Sequence, residues 1–119
     1  MTPAAHSVAA ELRKRILAAL TRDTGQARSS QALVQDLEWE LRVDRERRVD
    51  DLNQDLRRCV VVRALLSAAA DTSTPPHSLT AICARRRFLA AALEVVDDLL
   101  AIETAAARTV LRLASDGGR

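Results

Sequence analysis

A chain of 119 residues is long enough to form one hydrophobic core and too short to form two, so residues 1–119 are expected to make a single domain. Apolar residues make up 48% of the chain, which excludes an intrinsically disordered protein, and two cysteines are too few for a disulfide-built fold and indicate a cytoplasmic location. The net charge of +2 is too small to indicate a nucleic-acid binder by itself, and no apolar run approaches the roughly 20 residues that cross a bilayer.

The first predicted element is a helix over residues 7–21. Its apolar side chains recur at intervals of three and four residues, which places them on one helix face. They are Val8, Leu12, Ile16, Ala19 and Leu20. Ser7 or the Thr2–Pro3 pair is expected to cap the start, because a hydroxyl can accept a hydrogen bond from a free backbone amide and proline suits the first helical position.

The second predicted element is one long helix over residues 29–70, a stretch that contains neither glycine nor proline. Helical spacing continues on both sides of a charged stretch at 44–48 and predicts an inward-facing stripe. The stripe consists of Leu33, Leu37, Leu41, Val49, Leu52, Leu56 and Val60. Trp39 lies at the edge of the stripe and is expected to anchor the core; the alternative is an aromatic anchor for a partner protein.

The third predicted element is a helix over residues 79–114, with Ser78 as its N-cap and Gly117–Gly118 after its end. Two adjoining apolar stripes run along it. One contains Ile82, Leu89, Leu93, Val96 and Leu100, and the other contains Phe88, Ala92, Val95, Leu99 and Ile102. Such a wide apolar face predicts contact with more than one neighbouring helix.

These elements predict an all-α fold: an antiparallel three-helix bundle in which a short first helix packs against a hairpin of two long helices. The short helix covers only one end of that hairpin. We therefore expect apolar surface to remain exposed at the other end, next to arginines of both long helices, and this end is the predicted partner-binding or homodimer site. It comprises Arg57, Arg58, Val61, Val62, Arg63, Leu65, Leu66, Arg85, Arg86 and Arg87.

No residue of the sequence is assigned a catalytic, cofactor-binding or metal-binding role. Cys83 is expected opposite residue 66 of the hairpin, about 10 Å along the axis from Cys59, which is too far for a shared metal ion or a disulfide. His77 and Ser78 are adjacent, and adjacent side chains rarely face each other as base and nucleophile. The predicted function is a non-catalytic protein–protein interaction module, such as an adaptor, a chaperone-like factor or a complex subunit, that is not bound to a membrane.

An alternative hypothesis starts from "LRKRILAAL" and "SSQALVQDLEWELRVDRERRVDDLNQDL". Their order resembles the helix, supporting helix and DNA-reading helix of bacterial winged-helix regulators. The resemblance implies a DNA-binding transcriptional regulator with wing strands at "CVVVRALL" (59–66) and "LTAIC" (79–83), followed by a dimerising helix.

Overall fold

The computed structural model describes residues 7–22, 26–43, 47–71 and 78–117, with side chains as far as residue 102. The described helices are α1 (Val8–Arg22), α2 (Gln26–Ser29), α3 (Gln31–Val43), α4 (Val49–Asp71) and α5 (Leu79–Gly117). They confirm the predicted all-α helical bundle. The described residues contain no strand, so the winged-helix hypothesis is wrong about the fold: residues 59–66 lie inside α4, and residues 79–83 begin α5.

The predicted single helix over residues 29–70 is also wrong, because the chain turns back between α3 and α4. Gln31 Nε2 donates a 2.6 Å hydrogen bond to Ser67 Oγ, and Arg63 Nε lies 3.2 Å from Glu38 Oε1. As the residue number rises along α3, the number of the contacting residue on α4 falls, so the two helices are antiparallel. Folding back buries an apolar face of each helix against the other. Of the charged stretch at 44–48, Arg47 and Arg48 directly precede α4, and residues 44–46 lie outside the described chain.

The buried face of α4 differs from the predicted stripe by about one residue, or about 100° of rotation. The core takes Cys59, Val62, Leu66 and Ala69, whereas Val49 and Val60, which were predicted to face inward, are 70% and 53% exposed. The rotation has a physical reason: Cys59, Val62, Leu66 and Ala69 share one side of α4, and only this orientation of the helix buries all four. It also carries Asp55 into the interior, where it is 1% exposed.

The predictions for the first and last helices are confirmed in their main features. Both stripes of α5 supply core residues, and α5 packs against both α1 and α4. The buried apolar side chains of these two helices are Ala9, Leu12, Ile16 and Ala19 in α1 and Ala81, Leu89, Ala92, Val96 and Leu99 in α5. Ser7 Oγ and Ser78 Oγ accept hydrogen bonds of 3.1 Å from the backbone amides of Ala10 and Ala81, so both serines are N-caps.

The molecule measures 62 × 29 × 18 Å, and its long dimension matches the length of α5. The side chains that α5 contributes to the core, with those packed beside them, lie between Phe88 and Leu100. Among the described residues, none of the helices combines the length and apolar character that crossing a bilayer requires.

Candidate partner-binding surface

The ten residues of the predicted partner-binding site do not form one exposed patch. Those that are exposed are Arg57, Val61, Arg86 and Arg87; those that are half-buried are Arg58, Arg63 and Leu65; those that are buried are Val62, Leu66 and Arg85. The expectation of exposed apolar surface at Val62 and Leu66 is wrong, since both side chains are 0% exposed in the core. The reason is that the sequence predicts one helix over residues 29–70 and so does not predict α3 as a separate helix. In the structure α3 packs against α4 and covers it.

Two of the predicted basic residues are engaged within the chain. Arg58 Nη1 donates a 2.7 Å hydrogen bond to Asp55 Oδ1, and Arg63 forms the ion pair with Glu38. The second contact is an ion pair without a well-aligned hydrogen bond, because Glu38 Oε1 accepts no hydrogen bond from the residues that the structure describes. Of the six predicted arginines, the exposed ones are therefore Arg57, Arg86 and Arg87.

A buried carboxylate lies beside this surface, at the start of α4. Asp55 accepts hydrogen bonds from Arg58 on its own helix and from Arg47, which precedes the helix. The side chain of Arg47 is 16% exposed and that of Arg58 is 36% exposed, so the carboxylate is shielded from water far more than its partners are. This Arg47–Asp55–Arg58 triad joins the residues just before α4 to the first turns of α4.

Cys59 lies one turn beyond Asp55 in the core. Burial, as the largest cause, and the negative charges of Glu38 and Asp55 together raise the pKa of its thiol from 9.0 to about 12, and the positive charge of Arg63 opposes them. A thiol that remains protonated is a poor nucleophile and a poor metal ligand. Cys83, by contrast, is exposed on α5.

Alkylation near neutral pH is expected to modify the folded chain at Cys83 alone, because Cys59 is both buried and protonated. Iodoacetamide labelling followed by peptide mass analysis measures this. Both cysteines should react when the chain is unfolded first. Rapid labelling of Cys59 in the folded protein would contradict the structure.

The same pKa predicts a loss of stability in alkaline solution. The unfolded thiol of Cys59 loses its proton above about pH 9, whereas the folded one keeps it until about pH 12, so the unfolded state binds fewer protons in between. The free energy of unfolding should therefore fall as the pH rises above 9. Urea titrations should show a weaker fall in Cys59→Val than in the matched Cys83→Val variant, and the comparison is clean because the chain has no tyrosine.

The outer side of α3 and α4 carries the most unusual exposed side chain. Trp39 is 66% exposed, so the expectation that it anchors the core is wrong. Val43, one turn further along α3, is also exposed. Val60 is exposed on the side of α4 that borders α3, since it lies one turn before Arg63, which contacts Glu38.

We call the exposed outer side of this helix pair the hairpin face. It comprises Asp36, Trp39, Arg42, Val43, Arg57 and Val60. The Glu38–Arg63 contact sets the register and brings Trp39 level with Val60 and Val61. The face therefore has an apolar middle in which an aromatic side chain lies beside a valine of the neighbouring helix.

A groove of about 570 Å³ lies between α1 and α2. Its lining includes Lys14, Arg15 and Arg22, together with Glu11, which forms an ion pair with Arg15. The two hydroxyl groups in this lining, those of Thr21 and Ser29, donate hydrogen bonds to the backbone carbonyls of Leu17 and Gln26. Within the described part of the chain, no three His, Cys, Asp or Glu side chains are placed to hold a metal ion; His6 and His77 lie outside that part.

Comparison with protein-family models, with curated proteins and with solved structures finds no match for this chain.

Proposed function

We propose that the chain is a non-catalytic helical interaction module, an adaptor or a subunit of a larger complex, that binds another protein through the outer faces of its helices. The observation that carries this proposal is the 66% exposure of Trp39 on a helix whose opposite face is fully packed. Tryptophan is highly buried on average in folded proteins and is enriched among the residues that dominate binding energy at protein interfaces.

The surroundings of Trp39 support helix-to-helix contact. Val43 and Val60 extend the apolar area along and across the hairpin, and charged residues flank it. An apolar centre with a polar rim is the usual composition of a protein interface. The lone aromatic side chain and the absence of a large basic field on the hairpin face support a protein partner over a nucleic acid.

The exposed remainder of the predicted site supports a second, more polar contact. Val61 is exposed on α4, and Arg86 and Arg87 are exposed on α5. We assign this contact to an acidic protein surface, because exposed guanidinium groups pair well with carboxylates.

Site-specific photo-crosslinking in the cells that make the protein tests the proposal. A photoreactive side chain in place of Val43 should give a discrete protein adduct, whereas the same group in place of the exposed Ala101 on α5 should not. Adding Trp39→Ala should reduce the adduct at position 43. Equal adduct yields at both positions, unchanged by Trp39→Ala, would argue against a binding role for the hairpin face.

A further inference from the structure

We propose that the hairpin face binds a second copy of this chain, forming a two-fold homodimer in which the α3–α4 hairpins of the two copies stack antiparallel. This inference rests on the proposed function and names the partner. Three features of the hairpin face carry it: the pattern of exposed residues on α3, the distribution of charge and the available area.

The first feature is a regular stripe on the outer side of α3. Ala32, Asp36, Trp39 and Val43 follow at intervals of four, three and four residues, and all four are exposed. That spacing places the four side chains along one side of α3, where another helix can pack against Ala32, Trp39 and Val43 while Asp36 adds a charge. Since Val34 and Leu37 already bury the opposite side of α3 in the core, the helix has one satisfied face and one that lacks a partner.

The second feature is that opposite charges lie on either side of the apolar middle. Asp36 lies one turn before Trp39, and Arg42 lies one turn after it. On α4, Arg57 lies one turn before Val60, and the antiparallel register puts it at the same end of the face as Arg42. The hairpin face thus has an acidic end, an apolar middle and a basic end.

This order makes the face complementary to itself. The two-fold axis lies in the interface at the level of Trp39 and runs perpendicular to the helices. The helices of the second copy therefore run in the opposite direction to those of the first. Asp36 of each copy then lies at the same height as Arg42 and Arg57 of the other, and Trp39 and Val60 of the two copies meet in the middle. Such an interface repeats each favourable pair twice, as two-fold interfaces do.

The third feature is the area of the hairpin face, which limits the affinity of the dimer. At about 1.5 Å per residue, α3 is about 20 Å long and α4 about 35 Å, and each is about 10 Å wide, so the face offers about 500 Å² per copy. Two copies would bury about 1,000 Å², which is the lower limit for a specific interface. The dimer is therefore reversible, and the monomer is populated in dilute solution.

Sedimentation of the full chain over a wide concentration range tests the proposal, together with the emission of Trp39, the only tryptophan. We expect a monomer–dimer equilibrium, and a shift of the emission to shorter wavelength as the dimer forms and excludes water from the indole. Trp39→Ala should shift the equilibrium to the monomer while leaving the circular dichroism spectrum helical.

Charge exchange tests the pairing itself. Asp36→Arg alone and Arg42→Asp alone should each weaken dimerisation roughly ten-fold, because each puts like charges opposite one another twice. The double variant Asp36→Arg/Arg42→Asp should recover most of the loss. Asp98→Arg, an equal change of charge at an exposed position on α5, should have no effect.

A chain that stays monomeric at every concentration, or a dimer that ignores all of these changes, overturns the proposed dimer. A monomeric chain whose position 43 still crosslinks to a different protein overturns the dimer but supports the proposed function. A monomer without any adduct at position 43 overturns both.

Discussion

Replacing Asp55 with alanine is expected to lower the free energy of unfolding by about 3–5 kcal/mol, the range for removing one partner from a buried ion pair. The carboxylate is 1% exposed and accepts hydrogen bonds from two arginines. Without it, Arg47 retains a positive charge in a position where its side chain is only 16% exposed. Arg58 is more exposed and can turn towards water.

Urea denaturation followed by circular dichroism measures this loss, and two further variants identify its cause. Asp98→Ala removes an exposed carboxylate from α5 and should change stability by no more than about 0.5 kcal/mol. Asp55→Leu combined with Arg47→Met should recover much of the stability, because an apolar pair of similar size can replace a buried ion pair. A small effect of Asp55→Ala would mean that the carboxylate is not buried in solution.

Replacing Leu66 with alanine is expected to destabilise the fold by about 2–5 kcal/mol, since the variant loses apolar burial and leaves a cavity. Leu66 is fully buried in α4, within the core that α1, α3, α4 and α5 share. The same substitution at Leu79, which is 76% exposed at the start of α5, should change stability by no more than about 0.5 kcal/mol.

Comparison of the variants Leu66→Ala and Leu79→Ala also decides between two roles for Leu66. The sequence alone placed this residue in an exposed partner-binding site, whereas the structure places it in the core. If Leu66→Ala left the unfolding midpoint unchanged while weakening partner binding, the partner-binding role would be correct. If it lowered the midpoint in a thermal or urea titration of the isolated chain, the core role would be correct.

Several features of the fold could be predicted because they depend on local chemistry. Ser7 and Ser78 cap helices as expected, since a serine hydroxyl satisfies a free amide of the residue three positions on regardless of the rest of the chain. The apolar stripe of α1 and the two stripes of α5 are continuous over several turns. A stripe that continues over several turns marks a side of the helix that is buried, and in α5 both stripes supply core residues, so the buried faces of these two helices follow from periodicity.

The break between α3 and α4 could not be predicted in the same way. The stretch around residues 44–48 has no glycine or proline, and the stripes on either side fit one uninterrupted helix. What favours the break is non-local: folding back brings Gln31 to Ser67 and Glu38 to Arg63, contacts between positions that are far apart in the sequence. Intrinsic helix propensity is too weak to oppose burial of two apolar faces.

The candidate binding surface shows the same division between local and non-local information. That the described elements are helices, that Ser7 and Ser78 cap α1 and α5, and that α5 has a wide apolar face follow from composition, capping and periodicity along the chain. That Asp55 is inside, Trp39 outside and Val62 buried depends on the rotation of α4 and the position of α3. Those are set by the sum of packing over all helices, because a helix with apolar residues on two adjoining sides can bury either one until its neighbours are in place.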